Sequence, residues 1–377
     1  MLGAGSRASI ACDAGNAFET LKHFHEKQPG WLMGHLGYGL KNENEKLVST
    51  HPEQIGFRDM QFFIPEIVIR LKNNILEIIA DDPQGIFSAI SDVVCPIELQ
   101  THIAIKEHTS KEDYLAVIKK LQEHILLGDC YELNYCQEFY ANDACIDAVS
   151  VYKKLTTISP NPFSALYRQQ DSYCICASPE RYLKKEGSHL ISQPIKGTAR
   201  RDLTNMLKDN NLKNDLLHSN KERSENVMVV DLVRNDLSRV CKEGTVQVDE
   251  LFGVYSFPQV HQLISTVSGE LRNDLHWVDA IKATFPMGSM TGAPKKRVME
   301  LIEKYEETAR GLFSGAIGYI SPEGDFDFNV VIRSIFYNKT KKYLSFQTGS
   351  AITFYSDPVA EYEECLLKAE SIRSILS

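Results

Sequence analysis

No stretch of the chain approaches the run of about 20 apolar residues that a bilayer-spanning helix needs, so no membrane partner is expected. The first residues show no basic segment followed by a long apolar core, so no signal peptide is expected either. Positive charge is in short supply: 41 Lys and Arg face 50 Asp and Glu, and the net charge of -9 argues against a nucleic-acid partner. The nine cysteines are odd in number and show no Cys-x-x-Cys spacing and no neighbouring histidine pattern. Neither a disulfide framework nor a zinc site is expected, and the thiols read as reduced, in a cytoplasmic setting. Two further motifs are missing. No Gly-Lys-Ser/Thr follows the glycine-rich loop near residue 290, which excludes a phosphate loop there, and no Gly-x-Cys-x-Gly nucleophile turn of a glutaminase occurs.

What is present is ordinary for a soluble enzyme: 43% hydrophobic and 24% charged residues. A length of 377 residues exceeds the usual single core, so two subdomains or one large composite core are expected. Residues 1–100 read as a smaller first subdomain. Phe18 to Phe24 is helix-like, Gly34 to Gly39 is a glycine-rich strand or turn, and Phe62 to Arg70 and Ile75 to Ala80 read as two strands joined through Asn73-Asn74. Residues 93–101 read as a linker, and the main domain is expected over 105–377. Ser110 and Asp113 form a capping box before a helix whose Tyr114, Ile118, Leu121 and Ile125 share a face, ending at Gly128. In Cys130 to Phe139, alternation of period two predicts a strand with one core face and one polar face that includes Glu132. Cys174 and Cys176, two apart in a strand-like run, point the same way and are expected to pack. Leu216 to Val233 reads as a helix with Glu222 and Glu225 on one face, and Asp357-Pro358 caps another that carries Glu361 and Glu364 in the same spacing.

The chemistry-bearing stretch is Gln193-Pro194-Ile195-Lys196-Gly197-Thr198-Ala199-Arg200-Arg201, just after a predicted strand, Ser188 to Gln193. Gly197 allows close approach to a ligand or a positive φ. Lys196 is either a carboxylate anchor or a nucleophile. A lysine near its usual pKa of about 10.4 is a poor nucleophile at neutral pH, so a reactive one must be desolvated or lie beside cations, which Arg200 and Arg201 would supply. The alternative is a basic surface turn. Taken singly, Glu180 after Ser178-Pro179, the two glutamate pairs, His261 and Arg333 each also read as surface or structural residues.

Read together, these stretches resemble the chorismate-utilising enzymes: the anthranilate and aminodeoxychorismate synthase components I and the isochorismate and salicylate synthases. The resemblance covers roughly residues 109 to 373. It rests on the Pro-Ile-x-Gly-Thr signature at 194–198, Ser178-Pro179-Glu180-Arg181, the Val229 to Leu237 run, His261 to Val267, Gly288-Ser289-Met290-Thr291-Gly292-Ala293-Pro294-Lys295 and Gly349 to Ile352, where Ser350 replaces a common second glycine; Arg310 to Tyr319 departs from the family pattern. The fold it implies is α+β, an anthranilate synthase-like unit of two large antiparallel sheets packed together with helices outside. Chorismate and Mg²⁺ would lie between the sheets.

By the same resemblance Glu180 is the general acid for the C4 hydroxyl of chorismate. His261 lies near the leaving-group end of the ring. Ser289, Arg333, Thr198 and the Gly349-Ser350-Ala351 turn bind substrate, with Arg333 gripping the enolpyruvyl carboxylate. Glu225 and Glu364 are direct Mg²⁺ ligands, and Glu222 and Glu361 act through water, so chorismate affinity should depend on Mg²⁺. The x position of the signature is alanine in anthranilate synthases and lysine in aminodeoxychorismate synthases; here it is Lys196. That points to an amination of chorismate at C4 through a covalent Lys196 intermediate, with ammonia from a separate glutamine amidotransferase subunit. Glu132 stands where isochorismate and salicylate synthases have a water-activating lysine, which argues against water addition. Phe313 replaces a frequent tyrosine. The Leu-Glu-Ser segment of tryptophan binding is not found in the first hundred residues, which look shortened relative to the family. Three alternatives stay open: an anthranilate synthase component I, a non-catalytic chorismate-binding subunit, or direct attack by ammonia with Lys196 serving only as an electrostatic element.

Overall fold

The computed structural model describes residues 1–93 and 103–376, so the expected linker at 93–101 lies almost wholly outside the described residues. Local signals act as expected where they are strong. The Ser110 hydroxyl caps the helix Lys111–Leu126 by accepting the Asp113 amide at 3.1 Å, and Tyr114, Ile118 and Leu121 are buried along one face. The expected first helix is Ala17–Lys27. The stretch 62–70 is two strands, Met60–Ile64 and Ile67–Lys72, because Pro65 has no N–H to continue a ladder. The expected helix from Leu216 is likewise divided. Met206–His218 ends at Ser219, whose side chain accepts the Glu222 amide at 3.4 Å and starts a second helix, Asn220–Ser238.

The described strands build two large antiparallel sheets and a small three-stranded one. The seven-stranded sheet runs in space Gly292–Ala293, Glu132–Ala141, Tyr343–Ile352, Ser334–Asn338, Ser172–Ser178, Phe163–Gln169, with Lys106–Glu107 also paired to Glu132–Ala141. The ten-stranded sheet runs Ile195–Arg200, Val260–Glu270, His189–Gln193, Arg181–Glu186, Phe326–Asn329, Ala316–Ile320, Leu32–Leu36, Met60–Ile64, Ala8–Cys12, with Gln247–Ser256 paired to Val260–Glu270. Three strands of the first hundred residues therefore complete the larger sheet. Phe18, Leu36 and Phe62 share one core with Leu183, Leu190, Val229 and Phe328, and the same core holds Cys174 and Cys176 from the other sheet. The outer face of the seven-stranded sheet is covered by helices: Phe139, Ile335 and Phe346 pack with Ala369 and Ile372 of Pro358–Leu376. The Glu132–Ala141 strand is consequently buried on both faces, not one. The described cysteines are free thiols, and no described helix is long and apolar enough to cross a membrane.

One packing detail explains a glycine-rich stretch. Gly34 and Gly318 lie opposite one another on neighbouring strands, and the rings of Phe62 and Phe328 occupy the space that two side chains would need. The two rings meet edge to face at 6.1 Å. Phe328 is fully buried, so Phe328→Ala is expected to lower folding stability by about 3–5 kcal/mol in denaturant titration, the usual cost of a large aromatic cavity.

Candidate active site

The strand Ile195–Arg200 pairs Ile195 with Ile264 and Thr198 with Gln262, three steps on one strand against two on the other. This bulge re-aims Lys196, and it is made possible by Gly197 at φ +94, where a Cβ would stand 3.0 Å from both Glu222 and Leu263. Lys196 Nζ donates to Glu132 Oε1 at 3.0 Å, and the two side chains are only 12% and 5% exposed. The pair bridges the two sheets. Burial alone would push the Lys196 pKa down, but Glu132, Glu225 and Glu180 outweigh it and the net shift is upward. The expected field of neighbouring cations is therefore not what surrounds this lysine. Arg201 is held by Asp209 at 2.8 Å and by the Phe257 carbonyl at 3.1 Å, and Arg200 is exposed. The lysine is desolvated by burial, but the carboxylates beside it keep it an ammonium.

Glu180 lies where the chain crosses from the seven-stranded sheet, at Ser178, to the ten-stranded sheet, at Arg181. A second crossing, in the opposite direction, runs from Asn329 to Ser334 and carries Arg333. The two crossings hold each other: the Val330 amide donates to the Glu180 carbonyl at 3.1 Å, and the Ala177 amide to the Arg333 carbonyl at 3.2 Å. Arg333 has φ +52, a left-handed conformation that costs a non-glycine residue about 1–3 kcal/mol and is found where surrounding structure imposes it. Burial pushes the Glu180 carboxyl up to about 7, against the opposing pull of the Ser289 hydroxyl, Lys196, the Ile195 amide and Arg333. Burial lowers the Arg333 pKa, with Glu180 opposing. A carboxyl half protonated at neutral pH, an ammonium and a guanidinium thus face one another between the sheets.

Ser289 lies in the one-turn helix Gly288–Met290; its buried Oγ faces Glu180 without forming a regular hydrogen bond to any described group. Arg310 fixes this loop from beneath, donating to the Met290 carbonyl at 2.7 Å and the Asn134 carbonyl at 2.8 Å while paired with Glu306 at 2.6 Å. Lys295 binds Asp236 at 2.6 Å and so has a structural role. Phe313 is buried in the core. Gly349, Ser350 and Ala351 belong to the strand Tyr343–Ile352, opposite Cys136, Tyr135 and Asn134. The Cys136 amide donates to Glu306 and the Asn134 amide to the Thr291 carbonyl, so both point away from this strand. By the antiparallel alternation the Gly349 and Ala351 amides then also point away, to the side where pairing with Ser334–Asn338 has already ended at Ser345. The Gly349 carbonyl on that side accepts Lys368 Nζ at 2.8 Å. Thr198 is exposed on its strand.

The four metal-type glutamates converge on a lysine. Lys221 Nζ lies 3.7 Å from Glu361 and 4.0 Å from Glu225, and Glu364 binds Lys368 at 2.7 Å. Burial would lower the Lys221 pKa, but Glu361, Glu225, Glu364 and Glu222 together raise it. Burial pushes Glu225 up to about 7, and its Oε1 is buried without a hydrogen-bond partner. Among the described residues no three acidic, His or Cys side chains are gathered closely enough to hold a metal as they stand. The donor set nevertheless fits a hard divalent cation, because all-carboxylate oxygens already surround one positive charge and one of them is unsatisfied.

His261 is not among the groups brought together around Lys196. Its Nδ1 is bound by Ser256 at 2.8 Å and its Nε2 by Asp209 at 3.1 Å, which joins the hairpin end to the Met206–His218 helix. Gln262 points to the opposite face of the strand and keeps a buried, unpartnered amide oxygen. Sequence reasoning missed that residue, and it assigned Glu132 to a solvated face. The run of polar residues Glu132, Asn134, Gln137 and Glu138 on both faces of one strand was the available signal.

Gly197→Ala is expected to cost about 1–3 kcal/mol of stability, through strain at a positive φ and contact with Glu222 and Leu263, readable as a lowered denaturation midpoint.

Comparison with known proteins shows the family and the fold. A family model described as chorismate binding enzyme matches residues 4–374. An anthranilate synthase component I-like protein of Synechocystis is 33% identical over 97% of this chain and 77% of its own length. The aminodeoxychorismate synthase component 1 of Klebsiella aerogenes is 34% identical over 93% of this chain and 78% of its own. That of Bacillus subtilis is 37% identical over 71% of this chain, which spans only 56% of that protein. The crystal structure of anthranilate synthase component I from Streptococcus pneumoniae superposes with a TM-score of 0.88 at 26% identity, covering 99% of this chain and 91% of that one. With its signature stretches meeting between two sheets of this architecture, the chain belongs to the family of chorismate-binding enzymes.

Proposed function

We propose that this chain converts chorismate and ammonia to 4-amino-4-deoxychorismate, as the synthase component of 4-aminobenzoate formation. The observation that carries the reading is Lys196, a buried amine facing the Glu180 carboxyl at the junction of the two sheets. Several similar proteins are named aminodeoxychorismate synthase component 1, which supports the same reading. Arg333 and the Gly349 and Ala351 amides receive substrate carboxylates, the guanidinium as a two-point fork and the amides as single donors. Ser289 and Arg333 hold the Glu180 carboxyl in place. The Lys196 amine attacks C2, the ring double bonds shift, and Glu180 delivers its proton to the departing C4 hydroxyl, releasing water. Ammonia then adds at C4 as the double bonds shift back and Lys196 leaves C2. Glu225 and Glu364, with Glu222 and Glu361 one turn earlier, would hold Mg²⁺, which supplies positive charge toward a dianionic substrate. The ammonia comes from a separate glutamine amidotransferase subunit, in a cytoplasmic setting suited to free thiols.

The second reading is anthranilate synthase component I, favoured by the name of the Synechocystis relative. It adds ammonia at C2, the carbon that Lys196 would obstruct. Incubating the purified chain with chorismate, ammonium and Mg²⁺, with and without an aminodeoxychorismate lyase, separates the two by liquid chromatography and mass spectrometry. The expected result is 4-aminobenzoate only when the lyase is added, with Lys196→Ala at least 10²-fold slower, a typical contribution of such a group. Anthranilate and pyruvate without the lyase would overturn the reading. Because Glu180 acts in its protonated form and its pKa is about 7, single-turnover chorismate consumption should hold below pH 7 and fall as pH rises above it. A rate that climbs through pH 8 would assign the acid elsewhere.

A further inference from the structure

A lysine that attacks carbon must first lose a proton, and the groups around Lys196 differ in their ability to take it. Glu180 cannot be the acceptor, because it has to carry the proton that the C4 oxygen receives. Arg333 is a cation. Glu225 is assigned to the metal, and among the described residues the one ion pair of Lys196 is with Glu132. That pair is 3.0 Å long and sealed between the two sheets, with Glu132 nearly fully buried at the start of its strand. Water therefore has little access to the ammonium, and the proton has one short path.

We infer that Glu132 is the base that accepts the Lys196 proton as the amine attacks, and the acid that returns it when the amine leaves. The inference rests on the proposed function and adds a catalytic residue to it. In the first half, Lys196 gives a proton to Glu132, its lone pair forms the N–C2 bond, the two ring double bonds shift, and the C4–O bond breaks as Glu180 protonates the oxygen to water. In the second half, ammonia forms the N–C4 bond, the double bonds shift back, and the Lys196–C2 bond breaks to leave a neutral amine. Glu132 returns its proton to that amine, and the new C4 ammonium gives one to Glu180. Both carboxyls and the lysine end as they began, and the net change is chorismate plus ammonia to the amino product plus water. A second consequence is geometric: the base and the nucleophile come from different sheets, so the reacting pair exists only when the sheets are docked.

The test is rapid-quench mass spectrometry of the Lys196 adduct, formed from chorismate and Mg²⁺ without ammonium, in the whole chain and in Glu132→Gln and Glu132→Asp. Chorismate binding is measured separately by equilibrium dialysis. Glu132→Gln keeps the size and a hydrogen bond but cannot take a proton. Its adduct should form at least about 10²-fold more slowly, with the chorismate Kd within a few-fold. Glu132→Asp should lie between the two. Adduct formation in Glu132→Gln at the unsubstituted rate, or faster, would overturn the inference, since a carboxylate that only holds Lys196 charged would slow the attack. Equal rates for Gln and Asp would do the same even where both variants are less stable. If the unsubstituted chain turns over without any adduct and Lys196→Ala retains turnover, the functional reading itself fails and the inference with it. If the adduct forms and Glu132→Gln matches it, only the inference fails.

Discussion

The ion pair between Lys196 and Glu132 is the constraint around which this molecule is arranged. Removing an ammonium and a carboxylate from water costs several kcal/mol per ion, and their mutual attraction offsets that cost only when the geometry is close. The 3.0 Å contact meets that condition by drawing the two sheets together at one point. Everything near it serves the same approach. A bulge at Gly197 turns the lysine inward, and the pairing of Ala293 with Glu132 brings the loop that carries Ser289 alongside. Beneath that loop, Arg310 and Glu306 form a second buried pair that ties Met290 and Asn134 together. The buried charges add little net stability by themselves, but each permits few alternative registers.

The buried ionisable groups of the candidate site sit at the seams between sheets. Glu180 and Arg333 lie on two segments that leave one sheet for the other, and those segments hydrogen-bond to each other. A crossing segment is freed from the side-chain alternation of a strand, which lets a carboxyl and a guanidinium face the same space from opposite directions. Arg333 takes a left-handed backbone to do so. The strain is held by the strands on either side, whose ladders leave the intervening residues no lower-energy path.

Much of this was legible in the sequence, and the exceptions share a cause. Local signals served well: the Ser110 cap, the amphipathic helix after it, and the compact motifs around Lys196, Glu180 and Ser289. The failures came where a distant part of the chain decided the outcome. Glu132 looked like half of a solvated face because the sheet that covers that face, through Lys196, comes from elsewhere in the chain, while the helices pack on the opposite face against Leu133, Tyr135 and Phe139. Its partner is 64 positions away, and no periodicity reports that. The field expected from Arg200 and Arg201 failed similarly, since Asp209 claims Arg201 from a neighbouring helix. Between His261 and Gln262 a one-residue step exchanges the two faces of a strand, so a motif match can fall on the wrong neighbour. The break at Ser219 was locally readable and overlooked, because Ser219 and Glu222 have the spacing of a helix start, as was the break at Pro65.

Among the described residues the strand Tyr343–Ile352 has a neighbour on one side only beyond Ser345, although it lies inside a sheet. An interior strand with an open flank leaves main-chain donors with no strand to pair with, an arrangement that protein edges normally guard against. A ligand seated there on the proposed function acts as the missing strand. Its occupancy then becomes part of folding, stabilising the native state by about 2.7 kcal/mol at a hundredfold excess over its Kd. On that reading a chain deprived of the ligand would open more often, and proteases would meet the open form more often.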